Sequence, residues 1–215
     1  MALVEPTHFT NRAEAGRLLA ARVQALHPTA PIVYALPRGG VPVAAEVAAA
    51  LDAPLDLVLV RKIGAPGQPE LGIGAVVDGG EMVLNPDIVA VTGATEAFIA
   101  ATRQRELVEI ERRRERYLPG RQPLDPRGRT AVVVDDGLAT GATARAALRA
   151  LRRRGGARLI LAVPVAPPEA LADLRDEADE AVAVIESGLP FGIGGFYDDF
   201  HQLTDAEVIE ILSRR

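Results

Sequence analysis

Five near-continuous apolar runs constrain this chain most: residues 32–36 (IVYAL), 55–60 (LDLVLV), 130–134 (TAVVV), 158–163 (RLILAV) and 181–185 (AVAVI). A strand with one wet face alternates apolar and polar residues. Unbroken runs are buried on both faces, and that requires a parallel sheet covered by helices on each side. Helical patterns fall between the runs. Asn11 is a fitting N-cap for a helix with Ala15, Leu18, Leu19, Arg22 and Leu26 at helical spacing. Residues 41–51, 143–154 and 169–178 also read as helices, and 94–117 as one long charged helix. Short apolar stretches at 75–77 and 82–84 flank Asp78-Gly79-Gly80 and predict a small hairpin. A glycine- and aromatic-rich segment, 187–200, precedes a short helix whose capping box is Thr204 with Glu207. The expected fold is α/β: one domain with a doubly wound, mostly parallel five-stranded core sheet, flanking helices and a small hairpin.

Composition removes whole classes of function. At 215 residues, 48% hydrophobic and 25% charged, the chain has the profile of an ordinary globular domain, not of a disordered one. No run approaches the length of a spanning helix, and the N-terminus lacks the basic and apolar regions of a secretory signal, so a cytoplasmic protein without membrane partners is expected. Cysteine is absent, which removes disulfides, thiol catalysis and thiolate metal sites. His8, His27 and His201 are far apart in sequence, so no histidine metal site is expected. A net charge of −5 argues against a nucleic-acid partner. Lys62 is the only lysine. An ammonium is a compact point charge on a flexible stem, unlike the guanidinium that replaces it everywhere else.

The chemistry concentrates at residues 131–143, AVVVDDGLATGAT. A buried strand delivers two carboxylates, Asp135 and Asp136, to its carboxyl end, the edge where open parallel sheets bind ligands. A small-residue loop (Gly137, Ala139, Thr140, Gly141, Ala142, Thr143) then enters a helix N-terminus. Small side chains let backbone N–H groups approach an anion, the helix dipole favours negative charge, and Thr hydroxyls add donors. Carboxylates repel phosphate, so their partners are sugar hydroxyls or a divalent cation. A ribose 5-phosphate carries both features. The loop is neither a Walker P-loop nor a dinucleotide fingerprint.

This segment resembles the phosphoribosyl pyrophosphate (PRPP) signature of the type I phosphoribosyltransferases, in particular a bacterial subgroup of predicted phosphoribosyltransferases. The resemblance extends over roughly residues 32–200. Leu36-Pro37-Arg38-Gly39-Gly40 stands where the family binds pyrophosphate, Arg61-Lys62 where it places a basic residue near that group, and 63–74 where it has a flexible catalytic loop. Residues 191–200 stand where it has a C-terminal hood that grips the base.

The resemblance implies roles for each. Asp135 and Asp136 would hold the ribose hydroxyls, and residues 139–143 the 5-phosphate. The amides of Arg38, Gly39 and Gly40 would cradle pyrophosphate, with an unusual peptide at Pro37–Arg38 or Arg38–Gly39. Lys62 and Arg61 would stabilise the departing diphosphate, and Mg²⁺ would bridge it to the sugar, held mostly by water and substrate. Phe191, Phe196 and Tyr197 are candidates for stacking the base, with closure of the domain end as the equal alternative. Small molecules, PRPP and a base, are the implied partners. The long helix interleaves Arg with Glu, for example Glu109–Arg113 and Glu111–Arg114, which predicts a solvated face or a homodimer contact. With Lys62 as the only lysine, the hood has none to read the oxygen of a 6-oxopurine. Two functions follow: Mg²⁺-dependent transfer of the phosphoribosyl group to a nitrogenous acceptor, or binding of PRPP or a nucleotide without turnover.

Overall fold

The computed structural model describes residues 6–214. Its core is a five-stranded sheet of β1 (Ile32–Ala35), β2 (Leu55–Leu57), β6 (Thr130–Val134), β7 (Arg158–Ala166) and β8 (Glu180–Glu186). The order is β2-β1-β6-β7-β8, with every neighbouring pair parallel. β1, β2 and β6 are buried along their whole length, as their unbroken apolar runs require.

Side chains alternate between two cores. Val33, Ala35, Val132 and Val134 face α1 (Arg12–Gln24), α2 (Gly40–Leu51) and α7 (Asp205–Ser213). Ile32, Tyr34, Ala131 and Val133 face α5 (Ala142–Arg153) and α6 (Pro168–Ala172). The doubly wound arrangement is therefore observed. No helix among the described residues is long and apolar enough to cross a membrane.

A second sheet stands beside the core. β3 (Val60–Ala65), β4 (Gln68–Val77) and β5 (Met82–Leu84) form an antiparallel meander, followed by α3 (Pro86–Thr92) and α4 (Glu96–Tyr117). Two expectations are corrected here. The run at 55–60 serves two sheets: its first three residues pair with β1, and Val60 already pairs with Val77. Segment 63–74 is a β-hairpin rather than an irregular loop, folded back at Pro66-Gly67 with Gly67 at φ +72°. The Pro-Gly dipeptide was the turn signal.

Other differences are local. The expected 169–178 helix stops at Ala172 and continues as turns. The charged helix starts at Glu96 because Thr95 caps it, its hydroxyl accepting from the Phe98 N–H. Arg114 pairs not with Glu111 but with Asp56 (2.7 Å) and Asp78 (2.8 Å), tying α4 to β2 and to the hairpin turn.

Candidate active site

β1 and β6 are parallel neighbours in register, with Ala35 beside Val134, so the loops that follow them emerge together. Each loop leads into a helix whose N-cap is a glycine without a side-chain bond: Gly39 for α2 and Gly141 (φ +72°) for α5. By contrast, α1, α3, α4 and α7 are capped by Asn11, Asn85, Thr95 and Thr204 side chains. An N-terminus without a cap leaves N–H donors and the positive end of the helix dipole to a ligand. Two such ends lie side by side at the carboxyl edge of the sheet.

The first loop is tight. The Pro37–Arg38 peptide is cis, one of the two positions where an unusual peptide is expected. The Gly40 N–H donates to the Leu36 carbonyl (3.0 Å), which leaves the Arg38 and Gly39 amides, unbonded among the described residues, for an anion. A Cβ on Gly39 would lie 2.0 Å from Asp136 Oδ2, and one on Gly40 would lie 2.6 Å from the Val134 carbonyl and 2.9 Å from Asp135 Cα. These residues are glycines because the acidic pair stands directly behind them.

The pair itself is divided. Asp136 is buried, and its Oδ2 accepts from Arg12 Nε at 2.8 Å. Arg12 also donates to the His201 carbonyl (3.0 Å) and lies over the Phe200 ring at 3.9 Å. The Asp136 carbonyl accepts from the Tyr197 hydroxyl at 2.6 Å. Asp135 is partly buried, and its Oδ1 accepts from the Asp136 N–H (2.9 Å). Burial, then the adjacent Asp136 carboxylate, pushes the Asp135 carboxyl well above the usual range. Burial also raises Asp136, with Arg12 opposing it. Hydrogen bonds from Arg12 and from the Asp136 N–H thus engage Asp136 Oδ2 and Asp135 Oδ1, and the two carboxyls also interact with one another.

Arg12 was missed in the sequence. Its signal was a cation at the first position of a helix, where the dipole disfavours positive charge. A residue there needs an anionic partner from elsewhere in the fold.

Beyond the pair, Thr140, Ala142, Thr143 and Lys62 line one cleft of about 760 Å³ between the meander and α5. Ala139, Thr140, Ala142 and Thr143 are exposed, and neither Thr hydroxyl is bonded among the described residues. Lys62 Nζ donates to the Glu70 carbonyl (3.0 Å) and carboxylate (3.1 Å). Arg61, next to it in the strand, faces away, its Nε 3.0 Å from Glu106 of α4. The structure therefore brings Lys62, but not Arg61, to the cleft lined by Thr140, Ala142 and Thr143.

The C-terminal segment closes on the site through a 3₁₀ turn, Ile193–Phe196. A Cβ on Gly137 would fall 2.5 Å from Ile193 Cγ2, so Ile193 fills the space above this glycine. Of the three aromatic candidates, Phe191 is 87% exposed and Phe196 partly buried. Tyr197 is buried against Phe9 and Phe200 with its hydroxyl committed, a place that fits closure of the domain end. Among the described residues no three His, Asp or Glu side chains are grouped to hold a metal ion.

Comparison with known proteins agrees with this geometry. The family model described as "Phosphoribosyl transferase domain" matches residues 10–199. "Putative phosphoribosyl transferase Rv0571c" of Mycobacterium tuberculosis (strain ATCC 25618 / H37Rv) is 46% identical over 206 residues, covering 96% of this chain and 46% of that protein. The counterpart MT0597 of strain CDC 1551 / Oshkosh matches equally. This chain thus spans about half the length of those curated relatives. The crystal structure of TT1426 from Thermus thermophilus superposes with a TM-score of 0.84 at 44% identity, covering 96% of this chain and 98% of that one. The paired glycine-capped helices, the acidic pair between them and these matches lead to one assignment: the chain belongs to the phosphoribosyl transferase domain family.

Proposed function

We propose that the protein transfers the 5-phosphoribosyl group of PRPP to a nitrogenous base or related amine. The C1–oxygen bond to pyrophosphate breaks, a C1–nitrogen bond forms, and the acceptor nitrogen gives up its proton to solvent. One observation carries the reading: two uncapped helix N-termini flank two adjacent carboxylates, one held by a buried arginine. A molecule with a phosphate at one end, a diphosphate at the other and a diol between them matches that spacing of charge.

The 137–143 loop and the start of α5 bind the 5-phosphate through amides and the Thr140 and Thr143 hydroxyls. Asp135 and Asp136 accept from the ribose diol, and Arg12 holds Asp136 in place. The Arg38 and Gly39 amides bind the diphosphate. The centre at C1 passes through an oxocarbenium-like state, so the protein positions the partners and stabilises the leaving group, without a covalent nucleophile. Lys62 approaches that group once it leaves Glu70, as the 63–74 hairpin closes the cleft against water. The donor set fits Mg²⁺ held mainly by substrate and water, since two adjacent carboxylates without a third acid or histidine grouped beside them among the described residues form no protein cage; when bound, it would neutralise charge on the diphosphate. Phe191, exposed two residues before the Ile193 that packs over Gly137, offers a face to a planar acceptor.

A second reading, binding without turnover, is favoured by one contact: Lys62 is engaged by Glu70. Pyrophosphate release from PRPP and Mg²⁺ across a panel of bases separates the two. Release that disappears in Asp135→Asn supports transfer; silence across the panel leaves the binding reading in its place.

A further inference from the structure

Outside the proposed catalytic cleft, a small cavity of about 170 Å³ gathers Arg38, Arg112, Arg113 and Arg116 with Tyr117 and Asp205. Three of the arginines come from the last turns of α4, while Arg38 reaches over from the pyrophosphate turn. The acids nearby do not balance them. Glu109 accepts from Arg112 Nε (2.8 Å) and Nη2 (2.9 Å) and from Arg113 Nε (2.9 Å). Asp205 takes Arg116 at 2.8 Å and the Tyr117 hydroxyl at 2.6 Å, and stands only loosely, at 3.8 Å, from Arg38. Four guanidinium groups thus share two carboxylates, a local excess of two positive charges on a chain whose net charge is −5.

We propose that this pocket binds a free phosphoryl oxyanion, of the size of inorganic phosphate, at a site separate from the 137–143 loop. Guanidinium groups are planar forks matched to tetrahedral oxyanions, and several converging on one small cavity fix both charge and geometry. The cavity admits a phosphate ion but not a nucleoside. Arg38 and Arg116 turn toward the anion, and Asp205 keeps its bond from Tyr117. Because Arg38 also lends its amide to the pyrophosphate turn, occupancy of the pocket and of the turn is linked through one residue. The α5 loop is a distinct anion site, so the two can be removed independently.

The test is calorimetric titration of inorganic phosphate into the parent protein, an Arg112→Ala/Arg116→Ala variant and a Thr140→Ala/Thr143→Ala variant. Exposed ion pairs contribute little to stability, so the arginine variant folds, as a matching melting curve verifies. The expected result is a phosphate site weakened about tenfold or more in the arginine variant and retained in the threonine variant. Phosphate binding unchanged by the arginine substitutions, or none by the parent at millimolar phosphate, overturns the proposal. Neither result bears on transfer from PRPP, which is read separately by pyrophosphate release.

Discussion

Asp136 accepts a 2.8 Å hydrogen bond from Arg12 Nε, with 13% and 9% of the two side chains exposed. One acid of the pair is thereby fixed by the first helix, 124 residues earlier in the chain, while the other accepts from the backbone N–H of the first. The N-terminal helix and the segment carrying His201 and Phe200 are thus parts of the site's frame, because both hold Arg12.

Removing Arg12 leaves a buried carboxylate without its cation. Arg12→Ala is expected to cost about 3–5 kcal/mol in urea unfolding. Arg12→Lys recovers part of that, since it restores the charge but not the planar contact with Phe200. An Arg12→Ala protein as stable as the parent contradicts this account of the pair.

Asp135 carries the opposite prediction. A carboxyl raised in the folded state binds its proton more tightly there than when unfolded. It therefore costs stability above its folded pKa, and that cost fades as pH falls through that value. Asp135→Asn keeps an oxygen for the Asp136 N–H and removes the cost. The variant is expected to be more stable than the parent by about 1 kcal/mol at pH 8, with the gap closing in acid, while its affinity for PRPP collapses. Loss of stability at pH 8 would show the carboxylate to be a structural acceptor.

Gly137 and Ile193 form a second coupled pair. Gly137→Ala places a methyl group 2.5 Å from Ile193 Cγ2 and displaces the 193–196 turn. A loss of about 1–3 kcal/mol is expected, largely restored by adding Ile193→Ala. Additive effects in the double-mutant cycle would show that the two do not meet.

Lys62 tests the chemistry. Its ammonium is a compact point charge, half exposed in the cleft, where a guanidinium would spread the same charge over a planar fork. Lys62→Arg is expected to lower kcat about tenfold or more with little change in KM for PRPP. Full activity would make the lone lysine incidental.

Much of this was legible in the sequence, for identifiable reasons. Runs such as TAVVV at 130–134 cannot be half-exposed strands, so the parallel sheet was readable. Asp135-Asp136 followed by small residues and a helix was readable as a candidate site because the motif is local, and the structure sets it between β6 and α5. What escaped was non-local. Arg12 meets Asp136 only in the folded chain, and the turning of Arg61 toward Glu106 depends on which face of β3 packs on α4. Arg114 escaped likewise: Glu111 lies nearer in sequence, but Asp56 and Asp78 are buried beside it, and among the described residues it is the one cation that reaches both at under 3 Å. Ile193 filling the gap above Gly137 explains why a glycine is tolerated after the acids, and no local pattern encodes that.

The most direct measurement is calorimetric binding of PRPP with and without Mg²⁺, to the parent and to Asp135→Asn. Saturable binding that requires Mg²⁺ and vanishes in the variant is the predicted result. Equal binding by parent and variant, or none by the parent at millimolar PRPP with Mg²⁺, would show that the acidic pair does not hold a ribose.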